Sequence, residues 1–428
     1  MNIRFYNAKI LTLDGGFQIL NGELWVKGSR IAYIGKGGIP AAAYAFEREI
    51  DVKGNLLMPG FKNAHTHSAM TFLRSYADDL PLLDWLNKQV FPMEAKLNGE
   101  EMYQLSKLAI LEYLTSGITA NFDMYFCPED VTRASVEMGF RTVMCGAISR
   151  FTGETDYSLD LLEGYFNKYN HFHERIGFCL GFHGEYTAPK PLLEGIASMA
   201  GRHQAPVYTH ISESRAEVED CINRNRTTPV DYLNSLGIFQ HGGGGFHCVH
   251  MSEKDLQVMK EKKLTVVTNP ASNAKLASGI APLKVMADMG IPLAIGTDGP
   301  ASNNCLDMFR EMFLATALQK LKEEDASAMD ADQVLYMAAA GGAKAMGLTD
   351  CDMLREGKYA DLILLDLHQP NMQPINNITK NIVYSGSKLN VKMTMINGNI
   401  LYEDHNFYVG EDAETIYTRA NEIINSKR

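Results

Sequence analysis

The sequence predicts an α/β protein, a (β/α)8 TIM barrel with a small β-domain assembled from both termini. One observation is a series of eight short runs of strand-like composition, separated by longer segments with helical apolar spacing. The other is that both ends of the chain alternate apolar and polar residues between glycine and aspartate turns, as short antiparallel strands do. A doubly wound fold is the alternative, but its usual glycine-rich first turn does not follow a strand here.

The predicted barrel strands are, in order, residues 61–67, 118–124, 141–149, 176–185, 205–212, 245–250, 265–270 and 292–298. Between them, segments such as 100–115 and 253–262 place apolar residues at i, i+3 and i+4 with charged residues opposite, which predicts helices. Eight βα units in succession is the number found in a TIM barrel. The glycines at 242–245 are followed by no GK[ST], so we interpret them as a flexible loop before the sixth strand.

Residues 1–57 and 355–428 are predicted to form the β-domain, and residues 58–354 the catalytic barrel. The first part contains FYNAKILTLD and GELWVKGSRIAYIG, and the last contains GKYADLILLD and VKMTMINGNILYE before a helical stretch at 411–426. We favour one joined domain because the termini of a domain often lie close together. Two separate β-appendages are the alternative that the sequence leaves open.

Composition and charge exclude several classes of protein. Among the 428 residues, 40 Lys+Arg against 51 Asp+Glu give a net charge of −11 without a dense basic block, which argues against nucleic-acid or anionic-membrane partners. No segment approaches 18 uninterrupted apolar residues, and the N-terminus has no signal-peptide pattern. Seven scattered cysteines without a C-x-x-C pair are typical of a reducing compartment, so we expect a cytoplasmic protein.

Four residues at predicted strand ends indicate a metal site, because functional side chains of a TIM barrel lie at that face. His65 and His67 are spaced i, i+2 and so point to one side of a strand as a chelating pair. Such a pair alone is a weak signal, since most are solvated surface histidines, but His210 and Asp298 end two other strands. Three neutral imidazoles and a carboxylate would hold one divalent ion and leave room for a water whose pKa it lowers.

Other acidic and imidazole groups lie near the same strand ends. Glu213, three residues after His210, could shuttle a proton, although an acidic residue is also favoured at the start of a helix for structural reasons. His247 and His250 are three residues apart and so face opposite sides of a strand, and spacing does not decide which faces the barrel interior. HGE at 183–185 matches the H-x-E of zinc nucleobase deaminases, but the P-C-x-x-C of that fold is absent.

The chain also resembles a known family, through the strings LLMPGFKNAHTHSAM, HISE, HCVHMSE, NPASNAKLASGIAPL and IGTDGPASNN. These strings are similar to the amidohydrolase superfamily and, more narrowly, to its methylthioadenosine/S-adenosylhomocysteine deaminase branch. The resemblance covers nearly the whole chain, including TFLRSYADDLPLLDWL, FPMEAKL and the closing GKYADLILLDL. It implies a distorted (β/α)8 barrel with a small β-sandwich domain formed from both termini, which agrees with the pattern of strands and helices.

The resemblance implies roles for individual residues. It assigns the single metal, expected to be zinc, to four ligands: His65, His67, His210 and Asp298. Glu213 matches the proton-shuttling acid of the family, and His247, the first histidine of HCVH, matches the residue that orients the nucleophile together with Asp298. His250 is then structural. Members with two metals carry a carboxylated lysine at the end of strand four, where this chain has HGE, so one metal is expected.

Substrate contacts are implied in the same way. Glu94 in FPMEAKL matches the carboxylate that binds ribose hydroxyls, for which a solvated helix carboxylate is the structural alternative, and His183 matches the histidine that contacts the base. Arg150 in ISRFTG matches an arginine associated with the carboxylate of S-adenosylhomocysteine. A second arginine is missing from YSLDLLEGYF, and Thr268 stands where histidine is common, so the adenosine-like core is the better-supported part of the substrate.

The implied activity is hydrolytic deamination of methylthioadenosine, S-adenosylhomocysteine, adenosine or 5′-deoxyadenosine to the inosine-type product and ammonia. Deamination of a free purine or pterin base, or hydrolysis of a triazine, would use the same metal site and is the alternative within enzymes. A catalytically dead, assembly-forming relative would have lost metal ligands, whereas all four are present here. We expect a small-molecule nucleoside as partner, and the sequence leaves homo-oligomer formation open.

Overall fold

The computed structural model describes residues 1–37, 45–148 and 158–428. The chain begins with the strands β1 (Asn2–Leu11), β2 (Ile19–Lys27), β3 (Arg30–Gly35), β4 (Arg48–Asp51) and β5 (Leu56–Pro59). β1 pairs antiparallel with β2 and parallel with β4 and β5, and β2 continues antiparallel into β3. Alternate residues of β1, among them Ile3 and Phe5, are buried, as the alternation of apolar and polar residues in the sequence predicts.

A parallel sheet of eight strands, counted over the described ranges, forms the barrel. Its strands are β6 (Phe61–Thr66), β7 (Ile118–Met124), β8 (Arg141–Cys145), β9 (Ile176–Gly184), β10 (Val207–Ile211), β11 (Gly243–His247), β12 (Thr265–Thr268) and β13 (Leu293–Ile295). Neighbours in the chain are neighbours in the sheet throughout. The backbone N–H of Asp298, just after β13, donates to His65 O at 3.0 Å and joins the last strand to the first. The predicted TIM barrel is confirmed.

Helices and short helical turns connect the strands and cover the barrel. Up to the last barrel strand they are α1 (Leu82–Trp85), α2 (Phe91–Glu94), α3 (Gly99–Thr115), α4 (Pro128–Glu137), α5 (Leu159–Tyr169), α6 (Lys190–His203), α7 (Arg215–Asn225), α8 (Pro229–Ser235), α9 (Glu253–Glu261), α10 (Pro270–Lys275) and α11 (Leu283–Asp288). α3 and α9 coincide with the predicted helices, and each begins at a capping box, Asn98 with Glu101 and Ser252 with Asp255. Across the described residues we find no helix that is both long and apolar enough to cross a membrane.

After β13 come α12 (Met308–Glu323), α13 (Ala331–Tyr336) and α14 (Gly342–Ala345), and the chain then returns to the first sheet. There it forms β14 (Leu362–Leu365), α15 (Ile378–Tyr384), β15 (Val391–Ile396), β16 (Asn399–Glu403), β17 (Asn406–Phe407) and the closing helix α16 (Ala413–Lys427). β14 pairs antiparallel with β5, so strands from both termini share one sheet and one apolar core. The alternative of two separate β-appendages is therefore wrong, while the domain limits at 57 and 355 stay predictions.

The terminal sheet curls and packs against the barrel. A bridge between Arg30, at the start of β3, and Tyr359, just before β14, brings one edge of the sheet back to its middle. Below the barrel, the guanidinium of Arg141 in β8 donates to both carboxylate oxygens of Asp361, at 2.7 and 3.1 Å, and both side chains are buried. Asp361 also accepts the backbone N–H of Asn397 at 2.7 Å. This buried ion pair joins the barrel to the terminal sheet.

The interpretation of the glycines at 242–245 as a flexible loop is wrong. Three of them, Gly243 to Gly245, lie inside β11. A Cβ at Gly243 would approach Val207 O to 1.9 Å, and one at Gly244 would approach Thr265 O to 2.2 Å. The neighbouring strands approach so closely that side chains are excluded here, which is a second structural reason for glycine besides flexibility.

Candidate active site and metal centre

The imidazole and carboxylate groups predicted to bind a metal converge at the carboxyl face of the barrel. His65 Nε2 lies 3.1 Å from His210 Nε2 and 3.5 Å from Asp298 Oδ1. His67 Nε2 lies 3.2 Å from the same oxygen of Asp298. Donor atoms of four buried residues lie within 4.8 Å of one another: His65, His210, His247 and Asp298. The structure therefore brings together the four predicted ligands and adds His247 to the group.

The hydrogen bonds behind these groups orient their lone pairs toward one point. His67 Nδ1 lies 2.6 Å from Met124 O, and His210 Nδ1 lies 2.6 Å from His183 O. A carbonyl only accepts, so both Nδ1 atoms carry a proton, and each Nε2 presents a lone pair when its ring is neutral. Burial lowers the pKa of His67, but Asp298 outweighs burial and raises that pKa to about 9, so metal binding would displace a proton from His67 Nε2. Lone pairs that converge without a proton between them repel one another. A bound divalent cation removes that repulsion, so the donor set fits a divalent metal ion.

The carboxylate of Asp298 is held by two hydroxyls. Ser272 Oγ and Ser302 Oγ donate to Asp298 Oδ2 at 2.6 and 2.7 Å, which leaves Oδ1 to face the histidines. Asp298 itself has a φ of +60°, in the left-handed region that few residues other than glycine adopt. The backbone turns sharply at this point, and the turn places the side chain at the mouth of the barrel instead of in its wall.

Glu213 and His247 lie side by side at the ends of β10 and β11. Glu213 Oε1 is 3.8 Å from His247 Nδ1 and accepts a hydrogen bond from Ser278 Oγ at 3.4 Å. Burial raises the pKa of the Glu213 carboxyl. His247 Nδ1 donates to Asn273 Oδ1 at 2.7 Å, so its Nε2 is the unprotonated nitrogen. A buried carboxyl with a raised pKa, placed beside an imidazole, is suited to accept a proton and to return it.

A pocket with mostly apolar walls opens directly above these groups. His67, His210, Glu213, His247 and Asp298 form its floor. Its walls come from the segment between β6 and α3, from the end of β7 with the two residues after it, and from the residue that follows α10; they include Met70, Leu82, Trp85, Leu86, Phe91, Met124, Tyr125, Phe126 and Leu276. Broad apolar walls around a polar floor are typical of a site for a flat heterocyclic ligand.

Glu94 is the acidic group of the pocket wall. It ends α2 and is 6% exposed, and its Oε1 has no hydrogen-bond partner among the described residues. The hydroxyl of Tyr125, also in the wall, is likewise unpartnered within the described chain. Burial raises the pKa of Glu94 to about 7. The alternative that Glu94 is a solvated helix carboxylate is wrong, because the side chain is buried and faces the pocket.

His183 lines the pocket as well, whereas Glu185, two residues later, does not. Its ring lies 4.8 Å from that of His210, and its Nδ1 is 3.1 Å from Thr187 Oγ1. The carboxylate of Glu185 instead accepts hydrogen bonds from both terminal nitrogens of Arg224, at 2.8 and 2.9 Å, outside the pocket. The predicted contact Arg150 lies outside the described residues.

The remaining histidine of HCVH has a structural contact. His250 Nε2 lies 2.7 Å from Ser278 O, and the residue does not line the pocket. His247 faces the metal-binding group, so the two histidines divide between an interior and a structural position as predicted. The cause is a turn and not strand alternation, because β11 ends at His247 and His247 and Cys248 are left-handed.

Sequence reasoning missed the supporting residues on α10. Ser272 donates a hydrogen bond to Asp298, and the next residue of the same short helix, Asn273, accepts one from His247. Both lie in NPASNAKLASGIAPL, so a string that carries the family resemblance marked them without assigning a role. Trp85 likewise lies in a string that carries the resemblance, TFLRSYADDLPLLDWL, without an assigned role. The wall residues Tyr125 and Phe126 had no sequence signal, because isolated aromatics are usually core residues.

Comparisons with known proteins agree with this site. The Amidohydrolase family profile matches residues 56–401. A curated 5-methylthioadenosine/S-adenosylhomocysteine deaminase from Syntrophomonas wolfei is 37% identical over 420 residues, covering 97% of each chain. A protein with the same name from Moorella thermoacetica is 39% identical over 428 residues, covering 96% of this chain and 98% of its own.

Among solved structures, an adenosine deaminase from Xanthomonas campestris with bound zinc has a TM-score of 0.94 and 29% identity, and the match covers 100% of this chain and 98% of that one. The family profile spans most of the chain, and both named relatives exceed 35% identity over nearly their full length. The chain therefore belongs to the amidohydrolase family.

Proposed function

We propose that the protein is a hydrolytic deaminase of adenosine-type nucleosides that uses one divalent metal ion, zinc. The observation that carries the proposal is the position of Glu213 and His247 beside a convergent donor group, at the floor of a pocket whose wall holds an unpartnered carboxylate, Glu94. The names of the relatives from S. wolfei and M. thermoacetica and of the X. campestris structure support the same substrate class.

The ion would be held by the four predicted ligands: His65, His67, His210 and Asp298. Imidazole and carboxylate donors in this number suit zinc better than a hard cation such as magnesium, which prefers oxygen ligands. When bound, the ion would supply a water-derived nucleophile at neutral pH. The zinc bound to the X. campestris adenosine deaminase supports the same metal.

Glu213 would move the protons of the reaction. Water adds to the ring carbon that bears the amino group, Glu213 takes a proton from that water, and the proton passes to the adjacent ring nitrogen. Glu213 would then carry the proton of the added hydroxyl to the amino group, the carbon–nitrogen bond would break, and ammonia would leave. The oxygen stays on the ring carbon as the carbonyl of the inosine-type product. The raised pKa of Glu213 favours this role, because such a carboxylate is a stronger acceptor for a proton of water than an ordinary one.

His247 and the pocket walls would orient the reactants. Because His247 Nδ1–H donates a hydrogen bond to Asn273 Oδ1, His247 would present Nε2 as an acceptor to the attacking water. The aromatic and aliphatic wall would enclose the purine ring, while Glu94 would accept hydrogen bonds from ribose hydroxyls, since a vicinal diol offers two donors to a carboxylate that lacks a partner. A free base lacks this vicinal diol.

The decisive experiment measures metal content and ammonia release together. Purified protein should contain one zinc per chain and release ammonia from methylthioadenosine, S-adenosylhomocysteine, adenosine or 5′-deoxyadenosine. Glu213→Gln should retain the metal and lower kcat by about 100-fold or more, the usual contribution of general acid–base catalysis. A zinc-loaded protein that is inert toward every adenosine derivative would contradict the proposal.

A companion variant separates nucleosides from free bases. Glu94→Ala should raise KM for nucleosides and leave any activity on adenine or guanine unchanged, because only the ribose is expected to contact Glu94. Equal losses on nucleosides and bases would instead favour deamination of a free base.

A further inference from the structure

The turn that carries Glu213 is unusual in its backbone and in how it is held. Ser212, the first residue after β10, has a φ of +53°, a left-handed conformation that costs a non-glycine residue free energy. Ser214 then caps α7 by accepting the N–H of Glu217 at 3.2 Å. Such a strained turn persists only where surrounding contacts over-determine it.

A buried carboxylate supplies those contacts. Glu217 Oε1 accepts the backbone N–H of Ser212 at 2.7 Å, and Glu217 Oε2 accepts the backbone N–H of Glu213 at 2.8 Å. The side chain is 7% exposed, and burial followed by the nearby Glu213 raises its pKa to about 7. We call these two hydrogen bonds the amide clamp. Bonds from amides to an ionised carboxylate are short and strong.

Ordinary helix capping does not account for this arrangement. In the capping boxes of α3 and α9, the third helical residue, Glu101 or Asp255, accepts the N–H of the cap residue itself. Glu217 occupies the same third position of α7, but its carboxylate reaches past the cap to the two amides before it. It thus holds the turn that carries the proton-transfer residue.

The clamped turn is also joined to the turn that carries His247. Ser212 O accepts the N–H groups of Val249 and His250 at 3.1 and 2.9 Å, and Ile211 O accepts the N–H of Cys248 at 3.1 Å. His247 and Cys248 are left-handed as well, with φ of +70° and +48°. The strained turns after β10 and at the end of β11 therefore share one hydrogen-bond network. Glu217 on α7 joins this network through its bonds to the amides of Ser212 and Glu213.

We propose that Glu217 is a positioning residue for the deamination reaction: its carboxylate fixes the backbone of Ser212 and Glu213 so that the Glu213 carboxyl faces the pocket beside His247. The inference rests on the proposed function, since it needs Glu213 to transfer protons. Glu217 neither lines the pocket nor belongs to the metal-binding group. Its loss should lower the rate of the chemical step and leave binding of substrate nearly unchanged.

The test compares Glu217→Gln with Glu219→Gln. A glutamine at 217 keeps the size of the side chain, but its NH2 group faces one of the two amides, so half of the clamp is lost. We expect kcat to fall 10- to 100-fold with KM and zinc content within twofold of wild type. Glu219 is exposed on the same helix, and the same change there should leave kcat unchanged.

Two further variants separate positioning from stability. Ser214→Ala removes the cap of α7 and should lower Tm while kcat stays within threefold of wild type. Glu217→Asp keeps the charge but is one methylene shorter, and it replaces Glu217→Gln as the test if the amide variant does not fold. The kcat of Glu217→Asp should lie below that of wild type and, where the amide variant folds, above that of Glu217→Gln.

Hydrogen exchange gives a readout that does not depend on activity. In a peptide spanning residues 207–214, the amides of Ser212 and Glu213 should exchange faster in Glu217→Gln than in wild type or Glu219→Gln. Wild-type kcat in Glu217→Gln, or a loss of kcat that parallels loss of zinc or of Tm, would overturn the proposal. A wild-type protein without deaminase activity would instead refute the proposed function, while hydrogen exchange would still report on the clamp.

Discussion

Glu94 illustrates how one buried carboxylate can favour ligand binding at the expense of stability. Its pKa is raised to about 7 by burial, from an ordinary value of 4.5, and one of its oxygens is unpartnered among the described residues. In the unfolded chain this group ionises near pH 4.3. Between these two pKa values the folded protein binds the proton that the unfolded chain releases, so stability falls as pH rises through that window.

The variant Glu94→Gln should therefore be more stable than wild type at high pH. At pH 8 we expect its free energy of unfolding to exceed that of wild type by about 1–3 kcal/mol, because the glutamine never ionises. At pH 4, where Glu94 is mostly protonated in both states, the difference should nearly vanish. Urea denaturation at the two pH values measures this, with the exposed Glu422→Gln as control. A stability gain that does not depend on pH would contradict it.

At the scale of single residues, sequence reasoning found the groups that perform chemistry and missed the groups that hold them. His65, His67, His210 and Asp298 were identifiable because they end strands and fit a ligand chemistry that few residue types share. Glu217 was not identifiable, because its proposed role depends on accepting hydrogen bonds from two backbone amides. In the sequence it looks like any other acidic residue near the start of a helix. Contacts from a side chain to a strained backbone have no sequence pattern.

At the scale of elements, the closing helix α16 supports the cover of the pocket. Ala420, Ile423 and Ile424 of this helix pack in one apolar cluster with Trp85 and Leu86, which line the pocket. The Nζ of Lys96, two residues after Glu94, donates to Lys427 O at 3.0 Å. A helix at the far end of the chain therefore helps to position the wall that we propose contacts the nucleoside.

Replacing Ile423 and Ile424 together by alanine should loosen that wall. We expect KM for nucleosides to rise about 3- to 10-fold with kcat within twofold, because the metal-binding group and Glu213 lie on other elements. Steady-state kinetics with the substrate that the wild type prefers measures the change. The exposed Glu422→Ala on the same helix is the control. Loss of kcat without a change in KM would contradict a role for α16 in holding the wall.

Strands were predicted well at this scale because the barrel repeats one simple signal. Each of the eight predicted strands overlaps an observed one, and residues 118–124 coincide with β7. The error at 242–245 has a physical cause: glycine composition alone does not distinguish a flexible loop from a strand that its neighbours approach too closely for side chains. The wall segment around α1 and α2 was marked only by the family resemblance and not by helical spacing, since a π-helical turn at Leu86–Val90 joins the two helices and interrupts the regular α-helical period.

At the scale of the whole molecule, the buried pair Arg141–Asp361 fixes the barrel on the terminal sheet. Burial raises the pKa of Asp361, but the adjacent Arg141 outweighs burial and holds that pKa below its usual value. A carboxylate whose folded pKa is depressed stabilises the fold above its unfolded pKa, near 4, and this stability is lost as pH falls through the folded pKa. The pair therefore contributes at neutral pH and fails in acid.

Asp361→Asn should destabilise the protein by about 3–5 kcal/mol at pH 7, because it leaves the Arg141 charge buried without a counter-charge. The difference from wild type should shrink below pH 4. Unfolding midpoints in urea across pH 3–8 measure both effects. The control is Glu403→Gln, which breaks the surface pair with Arg48 and should change stability by less than about 1 kcal/mol. A loss no greater than that of the control would contradict the role of the buried pair.

The pairing of β5 with β14 has a consequence for how the protein is made. About 300 residues separate these partners in the chain. A ribosome adds about 5–20 residues per second, so the edge of β5 waits roughly 15–60 s for its partner. During that time the nascent N-terminal sheet exposes an unpaired strand edge, which favours contact with other nascent chains or with chaperones. The terminal sheet thus cannot be completed until the ribosome has made the roughly 300 residues between β5 and β14.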